Sequence, residues 1–247
     1  MNGLSGHISS AFDRDLEGIQ AQIMKMGGLV EASIRDAARS LDTRDEELAE
    51  RVRAGDGAID LLEEQLNEEA ARVIAIRAPT ATDLRVVLSV MRMSANLERI
   101  GDLSKNMAKR TGVLVQHQPI GGTSSSIKRM AREVERMLKD ALDSYIQRDE
   151  ALAIDVIERD NDVDQMYNTL FREFLTFMLE DPRNITACMH LHFIAKNIER
   201  MGDHVTSIAE QVVFLTSGRK PDELRTKSDR TSTDPALSAA LGDDDKA

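Results

Sequence analysis

The phrase "NLERIGD" occupies positions 96–102, and a second version of it, "NIERMGD", occupies positions 197–203. Each version places a Glu and an Asp four residues apart, which puts both acids on one face of a helix. A phrase that returns after about a hundred residues is typical of an internal duplication. The sequence around the two phrases tests this interpretation.

The similarity extends well beyond the two phrases. The block "SIRDAARSLDTRDEELAERV" (33–52) aligns with "MLKDALDSYIQRDEALAIDV" (137–156) at an offset of 104, whereas the phrases align at an offset of 101. The second copy has therefore lost three residues between the matched blocks. We call residues 1–119 copy one and residues 120–217 copy two.

Each copy contains three long segments whose apolar residues recur at helical spacing. Pro79, the stretch "GGTSSS" (121–126) and Asp181 with Pro182 interrupt these segments. The pattern predicts an all-α fold of two tandem, similar three-helix bundles with helices of roughly 30 residues. Residues 218–247 are polar and aperiodic, and we expect them to be disordered.

Helix starts can also be predicted from capping residues. Thr43 and Glu46 resemble a capping box at the start of the second helix. The serines at 124–126 are candidates to cap the fourth helix. Asp181 and Pro182 are expected to start the sixth helix as its cap and first-turn residue.

Composition excludes several classes of protein. Nucleic-acid binding needs clustered Lys and Arg to neutralise phosphates. The formal net charge of −11 gives no such electrostatic signal, so we predict no nucleic-acid partner. The first residues lack the features of a secretory leader, and no apolar run is long enough to span a membrane. We therefore expect a soluble, cytoplasmic protein without membrane insertion. The lone Cys188 is interpreted as a packed apolar residue.

The acids of the two phrases have companions on the preceding helix. Asp56 and Asp60 in copy one are again four residues apart, and they precede Glu98 and Asp102. Pro79 lies midway in sequence between Asp56 and Asp102, and also midway between Asp60 and Glu98. In a symmetric antiparallel hairpin, residues equidistant from the turn lie at the same height. All four acids are therefore predicted to be level.

Copy two repeats this register. Its pairs Asp160 with Asp203 and Asp164 with Glu199 are centred between residues 181 and 182, at the predicted turn. Four carboxylates close together either raise some of their own pKa values or attract a cation. We therefore predict a metal site in each copy, with a solvated acidic face as the alternative. The eight candidate ligands are Asp56, Asp60, Glu98, Asp102, Asp160, Asp164, Glu199 and Asp203.

Oxygen-only ligands suit hard or borderline ions such as Mg²⁺, Mn²⁺, Ca²⁺ or iron, and the pattern does not choose among them. Arg99 and Arg200 are predicted either to orient the acids or to form ordinary surface ion pairs. Gly101 and Gly202 are unfavourable inside a helix. Close approach of a neighbouring helix or of a bulky cluster would explain them, and plain helix packing is the alternative.

The histidines do not follow the duplication. His190, His192 and His204 lie near the acids of copy two, but copy one has Ser89, Met91 and Leu103 at the equivalent positions. A ligand role for the histidines would thus require two unlike sites. No phosphate-binding "GxxxxGK" and no "GxSxG" motif occurs, so we predict no catalytic residues.

The doubled phrase, its acidic companions and the polar linker together resemble the PhoU family, the accessory proteins of phosphate-specific transport systems. The resemblance covers residues from about 8 to 217, and the eight acidic positions match its E(D)xxxD motifs without departure. It implies divalent or trivalent metal ions, such as iron, manganese, magnesium or zinc, or multinuclear clusters at these motifs.

The resemblance also implies a role. It indicates a cytoplasmic, homodimeric negative regulator of phosphate-starvation genes that links the ATPase subunit of a phosphate ABC transporter to a phosphate-sensing membrane histidine kinase. One alternative is a carboxylate-bridged metal store or oxidase, although such sites use Glu-x-x-His pairs that the acidic positions here lack. Another is a purely structural bundle whose acids only confer solubility.

Overall fold

The structure is a computed structural model that describes residues 3–79 and 81–218. The described chain is α-helical and contains no strand, as the apolar spacing predicts. The tail predicted to be disordered lies outside the described residues except for Gly218. The helices are α1 (Gly3–Thr43), α2 (Glu46–Arg77), α3 (Ala81–Leu114), α4 (Thr123–Gln147), α5 (Glu150–Glu180) and α6 (Ile185–Ser217), with a short 3₁₀ helix (Pro182–Asn184) before α6.

The six helices form the two predicted bundles. Helices α1, α2 and α3 contact one another, and so do α4, α5 and α6. The bundles meet where α1 packs on α4 and α3 packs on α6. Helices α2 and α5 lie on opposite outer sides, and across the described residues neither contacts a helix of the other copy.

One continuous apolar core runs through both copies. The stripes read from the sequence face inward: Ile23, Leu66 and Leu97 in copy one are fully buried, as are Ile194 and Ile208 in copy two. Each such side chain contributes roughly 1.5–3 kcal/mol of transfer free energy. The acids discussed below flank these stripes, so the core fixes their position.

The outer helices start in the same way in both copies. The carboxylate of Asp45 accepts a hydrogen bond from the Leu48 amide at 2.8 Å, and that of Asp149 accepts one from the Leu152 amide at 3.0 Å. Both Asp residues have extended backbone angles, as N-cap residues do. The duplicated "RDE" therefore places equivalent caps on α2 and α5.

Two capping predictions are wrong. Thr43 is the last residue of α1 and its hydroxyl donates to the Arg39 carbonyl at 2.9 Å, because Asp45 already satisfies the start of α2. The linker serines 124–126 lie inside α4, whose N-cap is Gly122 with a φ of 81° and no side-chain cap. The Asp181 prediction needs a smaller correction, because Asp181 caps the 3₁₀ helix that precedes α6.

The contact between α3 and α6 relates the two copies. Asn96 Oδ1 lies 2.9 Å from His204 Nδ1, and Arg110 lies 3.3 Å from His190 Nδ1. The two helices are therefore antiparallel, and the middles of the two phrases lie opposite each other. The acids of copy one face α2, while those of copy two face α5.

Helices α1 and α4 are also antiparallel. Arg35 pairs with Glu135 at 3.0 Å, and Gly27 packs directly against Leu142. A Cβ atom at Gly27 would stand 2.3 Å from Leu142 Cδ1, so any other residue at this position requires the buried Leu142 side chain to shift. At the offset of 104, Gly27 aligns with Ala131 and Leu142 with Ala38, and these two small residues line a groove of about 260 Å³ between α1 and α4.

Candidate metal centres

The predicted register of the copy-one acids is confirmed. The Lys105 ammonium donates to Asp102 Oδ1 at 2.6 Å and also to Asp56 Oδ2. A single amino group bridges these two carboxylates only because Asp56 on α2 and Asp102 on α3 are level across the hairpin. We call Asp56, Asp60, Glu98 and Asp102 the copy-one acid cluster.

The other two acids of this cluster lie one turn away and interact with the first two. Lost hydration raises the pKa of Asp60, and the charge of Asp56 raises it further, against the opposing effect of Lys105. Lost hydration also raises the pKa of Glu98, with Arg99 opposing the rise and Asp102 and Asp60 adding to it. The four carboxylates thus form one electrostatic group.

The copy-two acid cluster, defined as Asp160, Asp164, Glu199 and Asp203, lies at the equivalent place between α5 and α6. Asp160 Oδ1 is 3.0 Å from the position that a Cβ atom of Gly202 would take, so Asp160 is level with Asp203 as predicted. Asp160, Asp164 and Glu199 are 7%, 6% and 5% exposed. This cluster is more buried than the copy-one cluster, in which Asp60 is exposed and Glu98 half-buried.

Both glycines of the repeated phrase are places of close helix approach. A Cβ atom on Gly101 would stand 3.0 Å from Ile59 Cδ1 and 3.6 Å from Asp56 Oδ1. In copy two the nearest atom is the carboxylate oxygen of Asp160 itself. Glycine therefore lets the companion helix bring its acid against the phrase, which agrees with close approach of a neighbouring helix.

The two arginines of the phrases are on the surface. Arg99 is 63% exposed and lies 3.5 Å from Glu98 Oε2 and 3.7 Å from Asp102 Oδ2, which is too long for strong hydrogen bonds. Arg200 is exposed as well. Arg99 therefore forms a surface ion pair with the acids of its own helix. That Arg99 or Arg200 orients the acids for metal binding stays a prediction.

The side chains do not surround a common centre as they stand. Among residues 3–79 and 81–218, no three Asp, Glu, His or Cys side chains are grouped so that they could hold a metal ion. The donor chemistry nonetheless fits a cation. Asp56 is only 6% exposed, and its Oδ1 is buried without a hydrogen-bond partner in the described chain. A buried ionised oxygen of this kind is costly unless a positive charge compensates it.

Several neighbours of the acids were missed in the sequence. Tyr167 follows Asp164 by three residues, and the offset of 104 aligns it with Glu63, which adds to the pKa rise of both Asp60 and Glu98. Copy one therefore has a fifth acid where copy two has an aromatic ring. Comparing the two copies position by position would have found this difference.

Aromatic side chains cover part of the copy-two cluster. The His192 ring lies 6.0 Å from the Tyr167 ring and 5.4 Å from the Phe171 ring, measured between centroids. Lys196 pairs with Glu199 at 2.9 Å, and its Nζ also lies 4.9 Å from the centre of the Tyr167 ring. This group explains why the acids of copy two are more buried.

The other two histidines contact α3. His204 is paired with Asn96, and His190 lies beside Arg110, where burial lowers its pKa and the arginine charge lowers it further. The three histidines that interrupt the duplication therefore have other contacts: His192 packs with aromatic rings, and His190 and His204 lie at the junction between the copies.

The lone Cys188 is buried and packs in the core, where lost hydration raises the pKa of its thiol.

Comparison with known proteins agrees with the division of the chain into two similar bundles. A family model described as the PhoU domain matches residues 23–111 and again residues 127–212. The chain belongs to the PhoU family. The two matched ranges fall one in each bundle, so each copy is one PhoU domain.

Relatives and solved structures of the PhoU family cover most of the chain. "Phosphate-specific transport system accessory protein PhoU homolog" is the name of a Caulobacter vibrioides protein, 41% identical over 226 residues, with 92% of this chain and 98% of the relative covered. The Rhizobium meliloti protein of the same name is 45% identical over 235 residues, covering 92% and 96%.

Two crystal structures share the fold. PhoU from Pseudomonas aeruginosa superposes with a TM-score of 0.82 at 36% identity, covering 84% of this chain and all of the other. The phosphate transport system regulatory protein PhoU from Streptococcus pneumoniae gives 0.79 at 27% identity, covering 85% and 99%. Within the described residues, none of the helices is both long and apolar enough for a transmembrane segment.

Proposed function

We propose that this protein is an accessory protein of a phosphate-specific transport system. The observation that carries the proposal is the likeness, over nearly the full length of both chains, to relatives that bear this name. Relatives aligned over only one bundle would have supported the fold alone. Here both PhoU domains are matched, and the relatives align over most of the chain.

The finer proposal is that the protein acts as a cytoplasmic adaptor and not as an enzyme. Its long helix faces would bind the ATPase subunit of a phosphate ABC transporter and a phosphate-sensing membrane histidine kinase. In this role it would act as a homodimer and keep phosphate-starvation genes off when phosphate is plentiful. The family resemblance supports these roles, and the absence of a recognisable catalytic motif in the sequence is compatible with them.

We further propose that each acid cluster binds a metal ion and so fixes the helix surface that the partners recognise. In copy one, Asp56 and Asp102 would contribute from the two helices, with Asp60 and Glu98 one turn away. Asp160, Asp164, Glu199 and Asp203 would do so in copy two. The buried Asp56 Oδ1, which has no hydrogen-bond partner in the described chain, supports this role, since a bound cation would contact the oxygen that Lys105 does not reach. If the partners do not recognise this surface, the role of the cation is structural, and it only holds the paired helices together.

Elemental analysis of protein purified without chelator tests the metal proposal. The variant carrying Asp160→Asn, Asp164→Asn, Glu199→Gln and Asp203→Asn should lose the metal of copy two and keep that of copy one. The matched control is Glu64→Gln with Glu68→Gln, because these exposed acids are also four residues apart on α2. Metal content that is equal in all three proteins would contradict the metal proposal.

A pull-down with the transporter ATPase tests the adaptor role separately. The wild-type chain should retain the ATPase, and the control variant should retain it equally well. The copy-two variant should retain less if metal fixes the recognised surface. Failure of the wild-type chain to bind would contradict the adaptor role, whatever its metal content. Oxygen consumption on addition of Fe²⁺ would instead favour the metal oxidase.

A further inference from the structure

The Lys105 ammonium occupies the place between the two helices where a cation would be expected. It hydrogen-bonds Asp102 on its own helix and Asp56 on α2, so it joins the two halves of the copy-one acid cluster. Asp56 is 6% exposed, whereas the Lys105 side chain is 35% exposed. The lysine therefore reaches inward from solvent to a buried acid.

This contact compensates a charge that would otherwise be unfavourable. Asp56 has one buried oxygen without a hydrogen-bond partner in the described chain, and its other oxygen is held by Lys105. An ionised carboxylate at such a site needs a positive partner, because burial removes its hydration. In the protein without metal, Lys105 provides that partner.

Copy two does not have a lysine at the equivalent position. The offset of 101 aligns Lys105 with Thr206, which is fully buried and carries no charge. The lysine near the copy-two cluster is Lys196, which pairs with Glu199 on its own helix and lies over the Tyr167 ring. Its copy-one equivalent is Ala95. The lysine beside each cluster thus differs: Lys105 bridges two helices in copy one, whereas Lys196 pairs with an acid of its own helix in copy two.

We propose that Lys105 is a tethered cation that closes the copy-one acid cluster and that a metal ion must displace. This inference rests on the proposed metal binding and adds a residue that sets the affinity of one site. An ammonium and a metal ion repel each other strongly at the short distance that shared carboxylate oxygens impose. Metal binding at copy one therefore breaks the Lys105 contacts with Asp56 and Asp102 and moves the side chain into solvent.

The test measures Mn²⁺ binding by calorimetry in the copy-two variant defined above, which carries Asp160→Asn, Asp164→Asn, Glu199→Gln and Asp203→Asn, so that only copy one reports. In this background, Lys105→Thr installs the residue found in copy two. We expect it to tighten Mn²⁺ binding by about 10- to 100-fold, because two charge-assisted hydrogen bonds no longer compete. Lys109→Thr, an exposed lysine one turn further along α3, should leave the affinity unchanged.

The outcomes separate the two proposals. Equal affinity of the Lys105→Thr protein and its parent would overturn the role of Lys105 while leaving metal binding intact. No binding of Mn²⁺ to either protein would overturn both. Circular dichroism checks that each variant folds. Should the Thr variant fail to fold, Lys105→Gln replaces it, because its neutral amide still donates a hydrogen bond but carries no charge, and a smaller gain in affinity is expected.

Discussion

The copy-one and copy-two acid clusters share their register but differ in their surroundings. In copy one, Asp60 is exposed, Glu63 adds a further negative charge and Lys105 bridges the helices. In copy two, Tyr167 replaces that acid and the cluster is largely buried. The hairpin core fixes where the acids lie, and the residues one turn away determine how hydrated and how charged each cluster is.

The largest expected difference between the copies concerns Tyr167, the aromatic residue that packs beside the copy-two cluster. Tyr167 is 2% exposed, so Tyr167→Ala should lower the free energy of unfolding by about 3–5 kcal/mol through lost burial and a cavity. Glu63→Ala, at the equivalent position, should change it by less than about 0.5 kcal/mol because Glu63 is only half-buried. Urea denaturation measures both. Equal losses of unfolding free energy in the two variants would contradict the difference in burial between the two clusters.

The second prediction tests the unequal crossings of α1 and α4. Gly27→Ala places a methyl group against Leu142 and should lower the free energy of unfolding by about 1–2 kcal/mol, net of a gain in helix propensity. In the Leu142→Ala background the same change should be neutral or stabilising, since the pair then resembles Ala38 with Ala131. A double-mutant cycle in urea measures the coupling, and strict additivity would contradict the close contact.

The third prediction compares the glycines of the two phrases. Gly202→Ala forces a methyl group to 3.0 Å from the Asp160 carboxylate and should destabilise the protein by about 1 kcal/mol. Gly101→Ala meets apolar atoms of Ile59 at 3.0 and 3.3 Å, which need to give by a few tenths of an ångström, and should be nearly neutral after the gain in helix propensity. Thermal unfolding of metal-free protein measures the pair. A larger loss for Gly101→Ala would reverse the expected order.

The smallest expected effect concerns pH. The pKa of Asp60 is raised in the folded protein by lost hydration and by Asp56, so ionisation of Asp60 opposes folding. A raised acid pKa gives stability below its unfolded value that is lost as pH rises through the folded value. Asp60→Asn should therefore stabilise the metal-free protein by a few tenths of a kcal/mol at pH 7, because solvent screens this exposed group.

The stabilisation by Asp60→Asn should disappear as the pH falls below about 4, where the wild-type carboxyl is protonated in both states. Urea unfolding at pH 7 and at pH 4 measures it. Glu64→Gln, an exposed change on the same helix, is the control. A variant that is less stable than wild type at pH 7 would show that ionised Asp60 has a favourable partner.

Much of the fold and the placement of the acids could be predicted from the sequence. Helical periodicity identified the core stripes, and symmetric turns near Pro79 and Pro182 made Asp56 level with Asp102 and Asp160 level with Asp203. These predictions succeeded because the register of a long helical hairpin follows from its turn and its core.

What escaped prediction depends on contacts between helices. Lys105 follows Asp102 by three residues, but its contact with Asp56 depends on side-chain rotation, which periodicity does not determine. The grouping of Tyr167 with His192 joins α5 to α6 across the copy-two cluster. The cap of α2 was missed for a local reason, because Thr43 and Asp45 lie within three positions of each other and Asp45 is nearer the helix start.

The most direct test of the proposed metal sites is anomalous X-ray scattering from crystals of this protein grown with Mn²⁺. Two peaks are predicted, one between Asp56 and Asp102 with the Lys105 side chain turned away, and one beside Asp160 and Asp203. Crystals that show no anomalous peak at either acid cluster, with Lys105 still bridging Asp56 and Asp102, would contradict the proposal that the duplicated acids bind metal.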